Sequence, residues 1–521
     1  MSRSFEIANA GATTSGRLRA AIFAAAPAGM LALFCAHTAL AETFRVTSAA
    51  DDVTPGTLRW ALERNNARPP RSAAINRIEI QGPLLVKLAR VLPPIHGPVV
   101  IAGVGPAEER TEPGIRGSLP KTAAAIIDGS AMVDMSTTAS CPAEDGKGDG
   151  PNVRSLQKPI LAVVDSGGVE ITGLEIRNAC IGVMLLRSRD NRIHHNIIHD
   201  MVGAAGILIT GDAGDAAGSA TAGRSIDNLV ESNVVYDTGD GAECTRGSSR
   251  LTFRGNLFYQ SSPDTVSPRS QGVECASTGN DDIRFIGNVF RGYSDGLQLN
   301  RATRVLVEGN TITDSTYGIT ASGTAIIRGN TIRGNRMGIG PAATAHVTIT
   351  QNRIFDNGKP ILALRTSAGG TTDPASPALL GIDVGVDGVT PNDNGDKCAD
   401  KLPDCDTVQN YPVLSADSSW SADGKITLRG ELSSRPNVPY TLEFFASEKP
   451  NAAGHAEGQF YMGTEMVTTD ATGRAAFAFR PRTGDPLGDH GSRAVFTATA
   501  TSTEGRTSEF SKGLPLSRSR D

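Results

Sequence analysis

Acidic side chains recur at equivalent positions of consecutive repeat units in the middle of this 521-residue chain. Glu243, Glu274 and Gln298 each stand two residues after a glycine, and Asp240 and Asp295 each stand one residue before a glycine. If these segments are strands stacked about 4.8 Å apart, their side chains share one outward face. Carboxylates at that spacing repel, so they raise one another's pKa or bind a cation. The spacing therefore predicts an outward acidic face suited to acid–base chemistry.

Two reactions of carbohydrates suit such a face. Paired carboxylates can hydrolyse a glycosidic bond, one as the general acid and the other as the base. Alternatively, Ca²⁺ held by the acids can acidify the α-proton of a uronate, which an arginine or lysine removes in a β-elimination. A solvated charged surface, balanced by nearby arginines, is the third interpretation. The candidate catalytic residues are Asp240, Glu243, Glu274, Asp295, Arg246, Arg269 and Arg301.

A second outward stripe consists of residues that stand three positions after successive asparagines. His199, Tyr236 and Tyr259 occupy these positions. Tyrosine rings can stack on sugars, and packing of the rings against one another across coils is the alternative. These three residues and Gln298 are the candidate substrate-binding residues. Insertions at 211–224 and 260–270 are expected to wall a groove over the acidic face if the protein is an enzyme.

Gly-Asn pairs mark the repeat itself. They end at Asn256, Asn288, Asn310 and Asn330, each between short apolar runs, and most asparagines of the series are about 22 residues apart. That period is too short for helical-pair repeats, and the leucine pattern of leucine-rich repeats is missing. A parallel β-coil fits, because asparagine tolerates a left-handed turn and can hydrogen-bond to the asparagine of the next coil. The sequence therefore predicts an all-β solenoid with an aliphatic and phenylalanine core.

The first 41 residues have the pattern of a secretory signal peptide. Basic residues precede an apolar stretch, and Ala39-Leu40-Ala41 forms a cleavage pattern. An N-terminal membrane anchor is the alternative. The mature chain is then expected to have no membrane span and to be secreted, periplasmic or at the cell surface. The net charge of −5 gives nucleic-acid binding no support.

The segment from Phe44 to Glu63 reads FRVTSAADDVTPGTLRWALE. Its apolar spacing predicts a helix over 56–66 that covers the open first coil. Together with the asparagine repeat, the segment resembles the start of the right-handed parallel β-helix, or pectate-lyase-like, superfamily in its bacterial secreted form. The resemblance extends over residues 43–370. It implies the right-handed fold and leaves the activity open, because one fold serves many functions and the catalytic motifs of polygalacturonases and pectate lyases are missing.

Residues 371–410 lack the coil pattern and are rich in aspartate. Asp387, Asp393 and Asp396 are candidate ligands for Ca²⁺, with a solvated acidic loop as the alternative. Cys398 and Cys405 are predicted to form a disulfide, and the pairing of the other four mature-chain cysteines stays open. Short alternating strands with hairpin turns over 411–515 predict a small β-sandwich.

Four segments follow from these patterns: a signal peptide at 1–41, a β-helix at 42–370, an aspartate-rich linker at 371–410 and a β-sandwich module at 411–515. The expected function is an exported protein that binds an extracellular polysaccharide or cell-surface glycan and cleaves it as a lyase or hydrolase. The alternative is a non-catalytic, adhesin-like solenoid at the cell surface.

Overall fold

The computed structural model describes residues 40–68, 74–137, 141, 158–211, 223–261, 270–359, 379–393, 408–482 and 492–519. Nearly all of the predicted signal peptide lies outside these ranges, as do four of the candidate residues, Arg269, Asp396, Cys398 and Cys405. No described helix is long and apolar enough to cross a membrane.

Short strands and one helix make up the first part of the described chain. In chain order they are β1 (Thr43–Val46), α1 (Leu58–Asn66), β2 (Asn76–Gln81), β3 (Leu84–Lys87), β4 (Val99–Val104), β5 (Glu109–Arg110), β6 (Leu119–Pro120), β7 (Ala125–Asp128), β8 (Pro159–Val164), β9 (Val169–Thr172), β10 (Leu174–Leu186), β11 (Arg192–His194), β12 (Ile197–Thr210), β13 (Leu229–Glu231), β14 (Val234–Thr245), β15 (Ser249–Arg254), β16 (Leu257–Tyr259), β17 (Gln271–Cys275), β18 (Asp281–Ile286), β19 (Val289–Arg291), β20 (Asp295–Leu299), β21 (Val305–Glu308), β22 (Thr311–Thr313), β23 (Tyr317–Ala321), β24 (Thr324–Arg328), β25 (Thr331–Arg333), β26 (Met337–Pro341), β27 (His346–Thr350) and β28 (Arg353–Phe355).

These strands wind into a parallel β-helix, as the repeat predicts. One sheet of 11 described strands runs β1-β2-β4-β9-β11-β13-β15-β18-β21-β24-β27. The second sheet contains 15 described strands and carries two strand segments from most coils, such as β16 and β17. The side-chain register is constant from coil to coil: Phe253 pairs with Phe285, and Phe285 pairs with Val307. A residue type that recurs once per coil therefore forms a continuous line along the solenoid.

A ladder of asparagines connects the coils at the turn between the two sheets. In each rung a buried Asn side chain donates through Nδ2 to the Oδ1 of the next Asn, at 2.9–3.1 Å. The same Oδ1 accepts the backbone N–H of the previous Asn, so each rung satisfies polar groups that the turn would otherwise bury unpaired. The members are Asn196, Asn233, Asn256, Asn288, Asn310, Asn330 and Asn352.

The interior of the coils is apolar and closely stacked. Phe253 lies on Phe285 with ring centroids 5.1 Å apart, and Phe258 lies on Phe290 at 5.3 Å. All four rings are fully buried, which removes their apolar surface from water. Inward aliphatic side chains continue this core to both ends of the solenoid.

Helix α1 covers the first coil. The Thr57 side chain accepts a hydrogen bond from the Trp60 N–H and caps the helix, while Leu58 and Leu62 are buried against the coil. Trp60 contacts the Phe44 ring edge-on at 5.9 Å. The helix shields the apolar end that an uncapped solenoid would expose to water.

The last part of the chain forms antiparallel sheets. Its strands are β29 (Val413–Leu414), β30 (Ser419–Trp420), β31 (Ile426–Ser433), β32 (Pro439–Ser447), β33 (Phe460–Thr468), β34 (Arg474–Phe479), β35 (Arg493–Ser502) and β36 (Leu514–Ser517). A separate apolar core, which includes Trp420, Tyr440, Phe444 and Phe496, fills this end module. The prediction of an all-β chain with a β-helix and an antiparallel C-terminal module is confirmed.

The end module closes the open end of the solenoid with buried carboxylates. Glu443 accepts the N–H of Gln351 at 3.0 Å, beside the last rung of the asparagine ladder. Glu457 accepts the N–H of Asn357 at 3.2 Å and its side-chain Nδ2 at 3.0 Å. The module therefore supplies the acceptors that a further coil would otherwise provide. Burial raises the pKa of Glu457 to about 7.

We expect the docked end module to lose stability as the pH rises from about 4.5 to about 7. In that window the folded protein holds a proton on Glu457 that the unfolded chain has released, so the loss approaches about 3 kcal/mol. Glu457→Gln should flatten this dependence in denaturant titrations followed by Trp420 fluorescence. Glu448→Gln, at an exposed position of the same module, is the control. Equal pH slopes in wild type and Glu457→Gln would contradict the assignment.

Two disulfides join described cysteines, Cys141 to Cys180 and Cys244 to Cys275. The second links adjacent strands β14 and β17, with Cα atoms 4.6 Å apart in register. Disulfides are typical of proteins from oxidising compartments.

Candidate functional site

Glu243, Glu274 and Gln298 lie in register on the neighbouring strands β14, β17 and β20. Glu243 alternates with Ala242 and Cys244, whose side chains belong to the interior of the coil. The three side chains therefore point away from that interior and form one line. We call this line, with Asp240 and Asp295 beside it, the acidic face.

A glycine stands two residues before each member of the line, at a point where the backbones of successive coils approach closely. A Cβ on Gly241 would lie 2.5 Å from the carbonyl oxygen of Gly272, and a Cβ on Gly272 would lie 2.4 Å from that of Gly296. Any other residue would push the coils apart at this corner. The glycines thus permit the close approach of successive coils beside each member of the line.

The acidic face is more enclosed than an outward surface suggests. Glu243, Asp240 and Asp295 are only 3–6% exposed, and Glu274 is partly exposed. Asp240 Oδ1 accepts the Gln271 N–H at 2.9 Å. The Asp295 carboxylate accepts the Thr320 hydroxyl at 2.9 Å and the Ser294 hydroxyl at 3.2 Å. The interpretation as freely solvated charge is wrong for these three acids.

Burial raises the pKa of Asp295 to about 6, and the nearby Glu274 carboxylate adds to this against the hydrogen bonds from Thr320 and Ser294. A carboxyl group with a pKa near the working pH can both accept and donate a proton. The acidic face therefore contains one carboxyl group, that of Asp295, whose pKa lies close to neutral pH.

The arginines predicted at the edge of the face follow their strands. Arg246 lies in the turn after β14 and its N–H donates to Ser277 Oγ at 2.5 Å. The N–H of Arg301, after β20, donates to Ser322 Oγ at 2.9 Å. Both backbones adopt positive φ angles, of 51° and 59°. Both arginines thus follow closely after strands that carry members of the acidic face, and their catalytic roles stay predictions.

The second predicted stripe is a stack of rings. His199 lies on Tyr236 with centroids 4.6 Å apart, and Tyr236 lies on Tyr259 at 5.0 Å. Burial alone would lower the pKa of His199, but hydrogen bonds to Asp200 and Glu175 outweigh it and raise that pKa to about 9. His199 is therefore a cation at neutral pH. We call these three residues the aromatic stripe.

A hairpin made of β5 and β6 covers the aromatic stripe. Ile115 and Leu119 of the hairpin pack with Tyr236 and Tyr259 in a small apolar cluster, which also contains Val234, Leu257 and Val289. The faces of the two tyrosine rings are thus occupied by neighbours from the chain. Packing across coils describes these rings, and stacking of a sugar on them stays a prediction.

The predicted calcium residues lie where the end module meets the last coil. Asp387 donates its N–H to the buried Asp383 at 3.1 Å, and Asp393 exchanges hydrogen bonds with Asn410. Among the described residues, no group of three His, Cys, Asp or Glu side chains is arranged to hold a metal ion. Calcium in this segment stays a prediction.

Sequence reasoning missed several residues around the acidic face. Thr320 stands in register after Gln298, so the glycine repeat that identified Glu243 also marked Thr320. Tyr293 is buried near Gly241, between the aromatic stripe and the acidic face, and a Cβ on Gly241 would lie 3.1 Å from its hydroxyl. Arg110 lies on the covering hairpin, outside the repeat, so no sequence pattern marked it as part of the site.

The parallel coils, the asparagine ladder and the capped ends define a right-handed parallel β-helix protein. Consistently, residues 149–290 match the profile of the right-handed β-helix region. The 3-dehydroshikimate dehydratase of Acinetobacter baylyi is 34% identical over 512 residues, which cover 93% of this chain and 97% of the relative. The chain belongs to the β-helix family of that dehydratase.

Two solved structures have a similar fold. The alginate lyase of Paenibacillus sp. is 14% identical, with 60% of this chain and 95% of that chain covered and a TM-score of 0.39. Pectate lyase Pel9A is 12% identical, with 73% and 94% covered and a TM-score of 0.36. The likeness to both enzymes is one of fold.

Residues 220–371 match the profile of a periplasmic copper-binding protein, NosD. The residues present do not fit a copper centre. This range contains one histidine, one methionine and two cysteines. His346 bonds to the Glu504 carbonyl and to Arg506, and Cys244 and Cys275 are joined to each other. The match therefore follows the coil repeat.

Proposed function

We propose that the protein is a carbon–oxygen lyase that removes water from a small hydroxylated keto acid of the 3-dehydroshikimate type. The observation that carries the proposal is a cluster of carboxylates on the face of the solenoid, in which Glu243 and Asp295 are buried and Glu274 is partly exposed. The name of the full-length relative supports the choice of substrate. The acidic face is the proposed catalytic site.

Dehydration of such a substrate needs proton transfers that carboxyl groups can perform. A carboxylate removes the proton on the carbon next to the ketone, and the hydroxyl on the following carbon leaves with a proton as water, forming a double bond. Loss of a second ring proton and protonation of the ketone oxygen complete an aromatic ring. We assign the first step to Glu274, which is partly exposed, and the protonation of the leaving hydroxyl to Glu243. Asp295 interacts electrostatically with Glu274, so its charge affects how readily Glu274 takes up the proton.

Cleavage of an extracellular polysaccharide, as a lyase or hydrolase, is the second candidate and would use the same carboxylates. Enclosure of Glu243 and Asp295 favours the smaller substrate, because a polymer chain needs an open groove that passes the reacting acids. We also propose that the protein acts outside the cytoplasm, as its two disulfides support.

The experiment is a comparison of substrates with the purified mature protein. 3-Dehydroshikimate is incubated with and without Ca²⁺ and chelator, and formation of a dihydroxybenzoate is followed by absorbance. Alginate, polygalacturonate and a neutral glucan are tested in parallel for unsaturated and reducing ends. Turnover of the keto acid alone supports the proposal. Turnover of a polymer alone would replace it with the polysaccharide lyase or hydrolase.

The raised pKa of Asp295 sets an expected pH dependence. Turnover should rise with pH through an apparent pKa near 6, because ionised Asp295 places a negative charge beside the proposed base Glu274 and makes it more basic. In Asp295→Asn the neighbouring negative charge is gone, so the acid limb of the kcat/KM profile should move to lower pH. An unchanged limb in Asp295→Asn would remove Asp295 from the proposed site.

A further inference from the structure

Among the described residues, the guanidinium group of Arg110 contains buried donors that have no carboxylate partner. Arg110 stands on β5 of the hairpin, and its Nε and Nη2 atoms are buried without a hydrogen-bond partner among the described residues. Donors of a buried cation that stay unpaired cost free energy, and such groups in native proteins call for an explanation. The planar fork of a guanidinium fits a carboxylate through two parallel hydrogen bonds.

A second arginine near Tyr259, Arg291, has a carboxylate partner. Arg291 lies 5.5 Å from the centre of the Tyr259 ring and 3.6 Å from the carboxylate of Glu112, which is also on the hairpin. Arg110 acts on the same tyrosine: burial raises the pKa of Tyr259, and the positive charge and a hydrogen bond of Arg110 oppose that rise. Arg291 thus has a carboxylate partner on the hairpin, whereas no carboxylate of the described residues pairs with Arg110.

Arg110 also lies close to the strand that leads into the acidic face, because its neighbour Tyr259 pairs in register with Tyr236 of β14, the strand that carries Glu243. Asp237, within electrostatic reach of Tyr259, lies on β14 with a φ of 51° and is three residues from Asp240. The buried Tyr293 is in electrostatic reach of Asp240, Asp237 and Tyr259 together. A ligand held by Arg110 would therefore lie at the end of the acidic face.

We propose that Arg110 binds the carboxylate of the substrate, with the Tyr259 hydroxyl beside it, and so directs the reacting ring carbons toward the acidic face. This inference rests on the proposed function for the identity of the acid. An array of carboxylates repels an anionic substrate, so a cation at its edge is needed to hold one. The hairpin then has a role in binding, because it carries the cation across the aromatic stripe.

The test compares Arg110→Gln and Arg110→Lys with Arg116→Gln, an exposed arginine of the same hairpin. For 3-dehydroshikimate we expect Arg110→Gln to raise KM about 10- to 100-fold with a much smaller change in kcat, since a charge-assisted bond pair is lost. Arg110→Lys should lie in between, and Arg116→Gln should match wild type. The methyl ester of the substrate should bind wild type and Arg110→Gln equally.

Thermal unfolding separates binding from folding. If Arg110 were only structural, Arg110→Gln would lower the melting temperature; removal of an unpaired buried charge should instead leave it unchanged or raise it. Wild-type KM and ester discrimination in a folded Arg110→Gln would overturn the inference while leaving the dehydratase intact. If wild type has no turnover, calorimetry with dihydroxybenzoate decides: Arg110-dependent binding keeps the inference and rejects only the reaction, and no binding rejects both.

Discussion

Replacement of both line carboxylates, Glu243→Gln together with Glu274→Gln, is expected to lower kcat/KM for the keto acid by about 10²- to 10⁴-fold, the range that general acid–base groups contribute. The two side chains pair in register across β14 and β17, so each is within reach of one bound substrate. If they act as a unit, each single variant should lose nearly as much as the double variant. Steady-state kinetics of all three variants measure this.

The glutamine variants should fold, because an amide keeps the shape of the side chain and removes repulsion between neighbouring acids. Their melting temperature should equal or exceed that of the wild type. Glu308→Gln is a matched control, since Glu308 lies on the other sheet and pairs with Arg328 at 3.0 Å. A double variant that keeps more than half of wild-type turnover would exclude the acidic face as the catalytic site.

Loss of one rung of the asparagine ladder should be the most destabilising single change in the solenoid. Asn256→Ala would remove donations to Val230 O and Asn288 Oδ1 and would leave the buried N–H of Asn233 and one of its two Nδ2 hydrogens without an acceptor. We expect a loss of about 4 kcal/mol, because each unsatisfied buried group costs about 1–3 kcal/mol. Chemical denaturation followed by circular dichroism measures the change.

The last rung supplies the comparison for this experiment. Asn352 accepts from Asn330 and donates to Ile327 O at 2.7 Å, and it has no further asparagine to which to donate. Asn352→Ala should therefore cost less than Asn256→Ala. Equal losses at both positions would show that the ladder adds nothing beyond the local turn.

The solenoid was predictable because a parallel coil repeats its chemistry in the sequence. Asn256 and Glu243 each belong to a series with a fixed phase, and stacking then places members of a series in register. Helix α1 was predicted within two residues of its observed start at Leu58. In each case local spacing alone specified which side chains become neighbours.

The enclosure of the site could not be predicted in the same way. The hairpin that carries Arg110 lies more than one hundred residues before the strands it covers, and no period connects it to Tyr259. The buried state of Glu457 likewise depends on docking of the end module against Asn357. Such contacts depend on tertiary packing between segments that are distant in the chain. A repeat pattern therefore cannot predict them.

The uniform rungs from Asn288 to Asn352 also bear on how the molecule can change over evolutionary time. Each rung makes the same bonds with its successor, so a duplicated coil finds its partners already in place, and a lost coil leaves two matching rungs to close the gap. This part of the chain can therefore lengthen or shorten by whole coils. Coils beyond Asp295 and its partner Thr320 can change in this way while Glu243, Glu274 and Asp295 keep their geometry, so length and chemistry can be selected separately.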